Sequence, residues 1–165
     1  MKSTTRQKTL YVCYAAIIAA CYVILTYLSR LFGLDSGVIQ LRLSEMLCVL
    51  PMFTTAAIPG VTVGCFLANL LTAAAPLDIF LGPVATLIGA VGTYALRKFR
   101  WLAPMPPIVS NALIIPFVLA YGYNVTEAIP FMMLTVGAGE ILSIYGVGSL
   151  FYIAVKKNKD RIFKI

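Results

Sequence analysis

Six polar or charged side chains in this sequence lie within, or at the edge of, otherwise apolar segments. They are Arg42, Glu45, Asn69, Asp78, Asn111 and Glu140. An ionised group inside a bilayer is costly, so such groups normally face a partner or a cavity. Carboxylates accept hydrogen bonds from paired N–H donors, and amides both donate and accept. Taken together, the six residues predict a binding site for a small polar ligand, running from the outer surface to the bilayer midplane.

Glu140 is the acid with the strongest indication of a role in binding. It lies ten residues from the start of its predicted helix at residues 130–157, and at ~1.5 Å per residue this places it near the midplane. Residues 137–139 before it are Gly-Ala-Gly, and their lack of bulk lets another backbone or a flat ligand approach closely. Asn111 falls at a comparable depth on the preceding helix, and Asn69 lies one turn from the outer end of the third.

Each of these residues also has a structural interpretation. Arg42 and Glu45 are three residues apart on one helix face and could form an ion pair at the helix end. Asp78 lies in the first turn of the fourth helix, where a carboxylate interacts favourably with the helix dipole. The asparagines could make interhelical hydrogen bonds worth about 1 kcal/mol each. These alternatives stay open for the single residues, while the set as a whole favours a ligand site.

The elements that must position these residues are transmembrane helices. The chain has 165 residues, of which 61% are apolar and 12% charged, and its mean hydropathy is +0.93. A soluble domain is closer to half apolar and a quarter charged. Since one span needs roughly 20 apolar residues, the length allows one membrane domain and excludes an appended soluble catalytic domain. We therefore predict an all-α integral membrane protein with a single transmembrane domain over residues 1–165.

Breaks in hydropathy divide the chain into six predicted transmembrane helices. They cover residues 10–28, 41–53, 59–71, 77–97, 107–121 and 130–157. The second is short and contains Pro51, so we expect it to tilt or to span only in part. Gly82-Pro83 is expected to interrupt the fourth, and Pro59 suits the first position of the third. Six spans place both termini on the same side.

The cations support this arrangement and set the orientation. Eleven of the thirteen Lys and Arg residues fall on the side of the termini, and only Arg30 and Arg42 fall on the other. The eleven are Lys2, Arg6, Lys8, Arg97, Lys98, Arg100, Lys156, Lys157, Lys159, Arg161 and Lys164. The positive-inside rule makes that side cytoplasmic. Because these cations flank spans, they require no nucleic-acid partner, and none is predicted.

Several kinds of chemistry have no residues to support them. The sequence has no His, which removes the commonest metal ligand and general base. Its four cysteines have no C-x-x-C spacing and lie in apolar runs, where they act as packing residues. No G-x-x-x-x-G-K-[ST] motif occurs, so the chain itself is not an ATPase. We predict no catalytic residues, no metal and no cofactor.

The first helix carries two overlapping Ala-x-x-x-Ala pairs. They are Ala15 with Ala19 and Ala16 with Ala20. Small residues four apart form a flat groove on which another helix can dock. The motif alone does not decide between a helix of the same chain and a helix of a partner.

Several motifs resemble those of the QueT family of S-components, the substrate-binding subunits of energy-coupling factor (ECF) transporters, which are associated with queuosine precursors. The resemblance covers essentially the whole chain and is most specific between the second and third helices. The motifs are Gln40-x-Arg42-x-Ser44-Glu45, Leu50-Pro51-x-Phe53-Thr54-x-Ala56-Ala57-Ile58-Pro59-Gly60, Ala68-Asn69-Leu70, Pro104-x-Pro106-Pro107 with Asn111-Ala112, and Gly139-Glu140.

The resemblance implies six helices around a cavity that opens outward and is capped by the loop at residues 29–41. It implies a deazaguanine-type substrate, a transmembrane coupling subunit that docks on the alanine face, two cytoplasmic ATPases and a location in the prokaryotic plasma membrane. On this interpretation Glu140 is the best-placed acceptor for the donor pair of a guanine-like base, and Glu45 is the second. In the loop, Gly33 and Gly37 would give mobility, while four apolar residues would cover the cavity mouth. The four are Leu31, Phe32, Leu34 and Val38.

Other functions compete with this interpretation. The chain could be an S-component for another vitamin or base. It could also be a small proton-coupled secondary transporter that works as an oligomer and uses Glu140 for coupling. A membrane-embedded enzyme is disfavoured, because neither metal ligands nor a paired-acid motif is present.

Overall fold

The structure is a computed structural model that describes residues 5–34, 40–158 and 162. Over these residues the chain forms helices joined by turns, and the prediction of an all-α fold is confirmed for them. The elements are α1 (Thr5–Leu31), a 3-10 helix (Leu43–Met52), α2 (Ala57–Leu71), α3 (Pro76–Ala95), α4 (Met105–Gly122), α5 (Ile129–Ile141), a π-helical turn (Leu142–Val147) and α6 (Gly148–Lys157).

Four of the described helices are long and apolar enough to cross a membrane. They are α1, α3, α4 and the continuous helix Ile129–Lys157, which comprises α5, the π turn and α6. The helices at Leu43–Met52 and Ala57–Leu71 are shorter. At about 2 Å per residue the 3-10 helix rises about 20 Å, less than the ~30 Å hydrocarbon core. The second segment is thus short, as predicted, and six complete spans remain a prediction.

Proline explains where several of these helices begin. Pro76 occupies the first position of α3, where its missing N–H has no intrahelical role, and Pro130 is the second residue of α5. Pro59 lies two residues inside α2 instead of at its first position. The predicted interruption at Pro83 is wrong: α3 continues through it from Pro76 to Ala95. Proline removes one backbone donor, and the packing of α3 against α2 and α4 is sufficient to keep the helix continuous.

Helices adjacent in sequence pack side by side, from α1 with α2 through to α4 with α5. The Tyr27 hydroxyl, near the end of α1, donates to the Leu71 carbonyl at the end of α2 over 3.0 Å. At the opposite end, the Tyr11 hydroxyl donates to the Thr55 carbonyl just before α2. These two helices are therefore antiparallel. We call the end near Leu71 the site end and the end near Thr55 the basic end.

The two alanine pairs on α1 lie on different faces. Ala19 is buried and packs against α2, where a Cβ on Gly64 would lie 3.0 Å from the Ala19 Cα. Ala15 is half-buried on the same face, whereas Ala16 and Ala20 are exposed. The first pair thus packs within the chain, and the second pair faces outward.

The described cations divide between the two ends as the sequence predicts. Arg30 donates to the Thr72 carbonyl at the site end over 2.6 Å. The Tyr14 hydroxyl donates to the Ile162 carbonyl over 2.7 Å, which places the start and the end of the described chain together at the basic end. Four of the predicted cations, Lys2, Lys159, Arg161 and Lys164, lie outside the described residues. Which end faces the cytoplasm remains a prediction.

Candidate functional site

A cavity of about 230 Å³ opens at the site end of the bundle. Three of the six residues predicted from sequence line it, namely Arg42, Asn69 and Asp78. The remaining wall is mostly polar or aromatic. It comprises Tyr22, Thr26, Ser29, Arg30, Gln40, Ser44, Thr72, Ala74, Leu119, Tyr123 and Val125.

Asp78 is the carboxylate that this cavity presents. Its side chain is buried. Because Asp78 is the third residue of α3, it lies at the positive end of the helix dipole, which favours a negative charge. The Asn69 side-chain amide donates to the Asp78 main-chain oxygen over 2.8 Å and to its Oδ1 over 3.2 Å. The Tyr123 hydroxyl donates to Oδ2 over 3.0 Å. Gly82 provides the room for this contact, because a Cβ there would lie 2.7 Å from the Asn69 amide nitrogen.

The Tyr123 phenol lies just beyond the end of α4. Partial burial raises its pKa, so it remains a neutral donor to Asp78 at physiological pH. The same hydroxyl accepts a hydrogen bond from the Ala75 amide over 3.1 Å. Tyr123 therefore joins the loop before α3 to the carboxylate and fixes the orientation of Asp78.

Arg42 faces the same cavity from an extended position just before the 3-10 helix. No described residue accepts a hydrogen bond from its guanidinium, and the predicted ion pair with Glu45 does not form between these two described side chains. The carboxylates of Asp78 and Glu45 interact electrostatically with it at longer range. A guanidinium has five N–H donors, and here they are available to a ligand.

The other three predicted residues form a separate cluster, which we call the buried network. It consists of Tyr22, Glu45, Asn111 and Glu140. Glu45 accepts a hydrogen bond from the Tyr22 hydroxyl through Oε1, and its Oε2 lies 3.5 Å from the Asn111 amide nitrogen. The same nitrogen donates to Glu140 Oε1 over 2.9 Å. Asn111 and Glu140 thus lie at matching depths, as predicted, and one amide connects two buried carboxylates.

The buried network lies behind the cavity wall. Glu45, Asn111 and Glu140 are each at most 5% exposed, and none of them lines the cavity. Tyr22 connects the two regions, because its ring lines the cavity while its hydroxyl binds Glu45. Glu140 Oε2 has no hydrogen-bond partner among the described residues. Such an unfilled buried acceptor calls for a proton, a water or a ligand donor.

Gln40 covers the helix next to Glu140. A Cβ on Gly139 would lie 2.0 Å from the Gln40 carbonyl oxygen, so only glycine permits this approach. The sequence left two occupants open for this small-residue stretch, another backbone or a flat ligand, and in the structure the backbone of Gln40 lies there. Gln40, with Leu119 and Val125, also lines a second cavity of about 280 Å³. These three residues therefore stand between the two cavities.

The predicted lid is described in part. α1 ends at Leu31 and is followed by Gly33 in a left-handed conformation (φ 66°). The Leu41 amide donates to the Leu34 carbonyl over 2.8 Å, which holds the ends of the loop together. Leu31 and Phe32 are 78% and 69% exposed and line neither cavity, so they do not cover the mouth as predicted. Gly37 and Val38 lie outside the described residues.

The sequence prediction did not name eleven of the lining residues as site residues, and three of these eleven make the contacts described above: Tyr22, Gln40 and Tyr123. Tyr22 follows Ala15 and Ala19 by seven and three positions, so helical periodicity places it on the same inward face. Gln40 stands in the motif that carries the family resemblance. Tyr123 follows a helix end, and nothing in its sequence context indicates a site.

Comparison with known proteins identifies the family. The sequence profile of the family described as QueT transporter matches residues 12–157. The queuosine precursor transporter QueT of Lactococcus lactis subsp. cremoris (strain MG1363) is 39% identical over 96 residues, a match that covers 58% of this chain and 56% of the relative. No solved structure matches the chain. Four apolar helices long enough to span and the family match together make this a multi-pass protein of the cell membrane. The chain belongs to the QueT transporter family.

Proposed function

We propose that this chain is the substrate-binding S-component of an ATP-driven ECF uptake transporter and that it binds a deazaguanine-type queuosine precursor. Family membership and the name of the relative support a queuosine precursor as the class of substrate. The observation that carries the proposal is a cavity lined by a fixed carboxylate, Asp78, and by the guanidinium of Arg42, which has no hydrogen-bond acceptor among the described residues.

These two groups suit the edge of a guanine-like base. Such a base presents a ring N–H and an amino group side by side, and one carboxylate can accept both through charge-assisted hydrogen bonds. Asn69 and Tyr123 use one acceptor position on each oxygen of Asp78, and a carboxylate has about four. Arg42 would donate to the carbonyl of the base. The rings of Tyr22 and Tyr123 provide flat surfaces beside it.

The size of the cavity favours a base over a nucleoside. Pockets for drug-sized ligands measure about 300–1,000 Å³. The described residues leave about 230 Å³, below that range. We therefore propose that the substrate is a free deazaguanine base.

Glu140 is the alternative acceptor for the same donor pair, with Glu45 and Asn111 as its neighbours. Its unpaired Oε2 supports this role. Gln40 covers the adjacent Gly139, so a ligand would reach Glu140 after that backbone moves. If the substrate carries an aminomethyl group, its protonated amine would form an ion pair with a carboxylate that does not bind the base itself. Glu127 lines the second cavity beside Gln40 and offers a further carboxylate.

Calorimetric titration of the purified protein with a panel of compounds tests the proposed substrate. The panel contains cyano- and aminomethyl-deazaguanine, queuine, guanine, queuosine and several vitamins. We expect a deazaguanine base to bind tightest and the same base lacking its 2-amino group to bind about 30-fold more weakly, which corresponds to ~2 kcal/mol for a hydrogen bond to a charged group. Tighter binding of an unrelated vitamin would contradict the proposed substrate and leave the S-component role standing.

The proposed partners are a transmembrane coupling subunit and two cytoplasmic ATPases. The exposed Ala16 and Ala20 on α1 offer a flat strip for the coupling subunit. Val12 and Ile17, beside this strip, are 64% and 60% exposed and extend an apolar surface around it. The pair formed by Ala15 and Ala19 is used within the chain.

Tryptophan substitution tests the docking face. Ala16→Trp should leave substrate binding unchanged, while cells that express the complete complex take up no substrate. Leu134→Trp is the matched control, because Leu134 is 74% exposed on a different helix, and it should transport normally. Ala15→Trp should impair folding, since Ala15 faces α2. Normal uptake by Ala16→Trp would show that this strip contacts lipid.

A proton-coupled carrier is the competing function, and the unpaired Oε2 of the buried Glu140 favours it. The purified chain reconstituted alone in vesicles discriminates between the two hypotheses. An S-component should bind substrate but accumulate none under an imposed pH gradient. Accumulation by the isolated chain would overturn the S-component proposal.

A further inference from the structure

A third cavity, of about 380 Å³, lies at the basic end, away from the substrate cavity. It is enclosed by the 3-10 helix, the connector before α4, the π turn and α6. Its wall is largely apolar and aromatic, with one arginine. The lining residues are Val49, Met52, Arg100, Trp101, Pro104, Ile144, Tyr145, Gly148, Ser149, Tyr152 and Ile153.

Arg100 is held at this cavity by aromatic rings. Its guanidinium carbon lies 5.1 Å from the ring centroids of both Trp101 and Tyr152, within the range of cation–π attraction. No described residue accepts a hydrogen bond from it. Arg97, three residues earlier, differs, because its guanidinium lies over Tyr94 and donates to the Tyr94 carbonyl over 2.9 Å. Arg100 is therefore an oriented cation with unfilled donors.

The charge around the cavity is positive. The Nζ of Lys156 lies 6.0 Å from the centroid of the Tyr152 ring, and Lys157 follows Lys156 at the end of α6. The acids that the structure describes lie elsewhere: Glu45 and Glu140 in the buried network, Asp78 and Glu127 in the cavities of the site end. No described carboxylate neutralises the cations at this cavity.

We propose that this cavity binds an acidic phospholipid. The phosphate would bind Arg100, and an acyl chain would lie along Val49, Ile144 and Ile153. A basic pocket between transmembrane helices suits an anionic headgroup. Trp101 and Ile153 are 71% and 54% exposed, so the apolar wall is accessible from the hydrocarbon side. A free phosphate would leave this wall without a partner, whereas a lipid matches both the charge and the apolar surface. This site is independent of the proposed substrate.

The single tryptophan of the chain lines the cavity and provides a direct readout. Full-length protein is reconstituted into vesicles that contain brominated phosphatidylglycerol or brominated phosphatidylcholine at equal mole fraction. Bromine on the acyl chain quenches the fluorescence of a tryptophan that it contacts. Both lipids carry a phosphate, but only phosphatidylglycerol has a net negative charge, because the choline cation neutralises the other headgroup. We therefore expect the relative affinity to favour phosphatidylglycerol about fivefold, as one arginine beside an anionic headgroup provides. Arg100→Gln should reduce this ratio to about one, and Arg100→Lys should retain most of it.

Two controls make the result specific. Arg97→Gln removes a cation of the same end that does not line the cavity, and it should keep the preference. Inorganic phosphate added to the vesicles should not relieve the quenching. Equal quenching by the two lipids, an equal loss in Arg97→Gln, or relief by inorganic phosphate would each overturn the proposal.

Discussion

The proposed substrate cavity and the buried network both contain carboxylates and amides, but they use them differently. In the cavity, Asp78 is fixed by Asn69 and Tyr123, while no residue of the described ranges accepts a hydrogen bond from the Arg42 guanidinium. In the network, Tyr22, Glu45, Asn111 and Glu140 bind one another, and one carboxylate oxygen of Glu140 has no partner in the part of the chain that the structure describes. Burial of a polar group therefore does not by itself identify a ligand contact. A ligand contact is better indicated by donors and acceptors that are accessible from a cavity and have no hydrogen-bond partner among the described residues.

The largest expected effect is on the stability of the network. Asn111→Leu removes the amide that connects Glu45 and Glu140 and leaves both carboxylates short of a donor in the interior. We expect the free energy of unfolding to fall by about 3 kcal/mol, because buried polar groups that lose a hydrogen-bond partner are costly. Thermal unfolding in detergent without ligand measures this loss.

Asn69→Ala in the cavity is the matched comparison. Water can enter there and replace the lost amide, so the expected loss of stability is about 1 kcal/mol. Equal losses of unfolding free energy in the two variants would show that water reaches the cavity and the network to the same extent. The proposed difference between the two regions would then be wrong.

The second prediction concerns substrate affinity. Asp78→Asn exchanges an acceptor for a donor at the proposed contact, and we expect affinity to fall about 30-fold, or ~2 kcal/mol. Glu140→Gln should change it less than about threefold, since Gln can still accept from Asn111. Calorimetry on both variants, with unfolding curves as the check on folding, gives the ranking. A larger loss of affinity in Glu140→Gln than in Asp78→Asn would show that Glu140, and not Asp78, binds the base.

The smallest expected effect is kinetic and concerns the segment between the two cavities. Gly139→Ala places a Cβ where the Gln40 carbonyl now lies, so the segment must move outward. We expect the substrate to dissociate about tenfold faster, equivalent to ~1.4 kcal/mol. Gly137→Ala is the control, because its nearest neighbour would be Ala112 Cβ at 3.7 Å. Identical dissociation rates for wild type and both variants would show that Gln40 does not retain the ligand.

Much of the fold follows from local features of the sequence. Pro76 predicts the start of α3, and helical rise predicts that Asn111 and Glu140 share a depth, which their 2.9 Å hydrogen bond confirms. These predictions depend on one helix, or on two antiparallel neighbours. They need no knowledge of how the helices rotate about their axes.

The division of the six polar residues between two regions could not be predicted. Whether Asn69 reaches Asp78 depends on the rotation of α2 against α3 and on the space left by Gly82. The separation of Arg42 from Glu45 results from the backbone change from extended to 3-10 between them. Such differences arise from tertiary packing, and periodicity in a single sequence does not contain them.

The π turn at Leu142–Val147 has a consequence for how insertions and deletions can be tolerated. A π turn contains one more residue than the α turn it replaces. Because the turn absorbs its extra residue locally, deleting one residue there would give a regular α-helix and leave α6 in nearly the same orientation relative to Glu140. Tyr152 would stay beside Arg100, and Glu140 would stay with Asn111. Deleting one residue between Gly148 and Tyr152, where the helix is regular, would instead rotate the rest of α6 by about 100° relative to Glu140. The π turn is thus the place in the last helix where one residue can be lost without separating the contacts at its two ends.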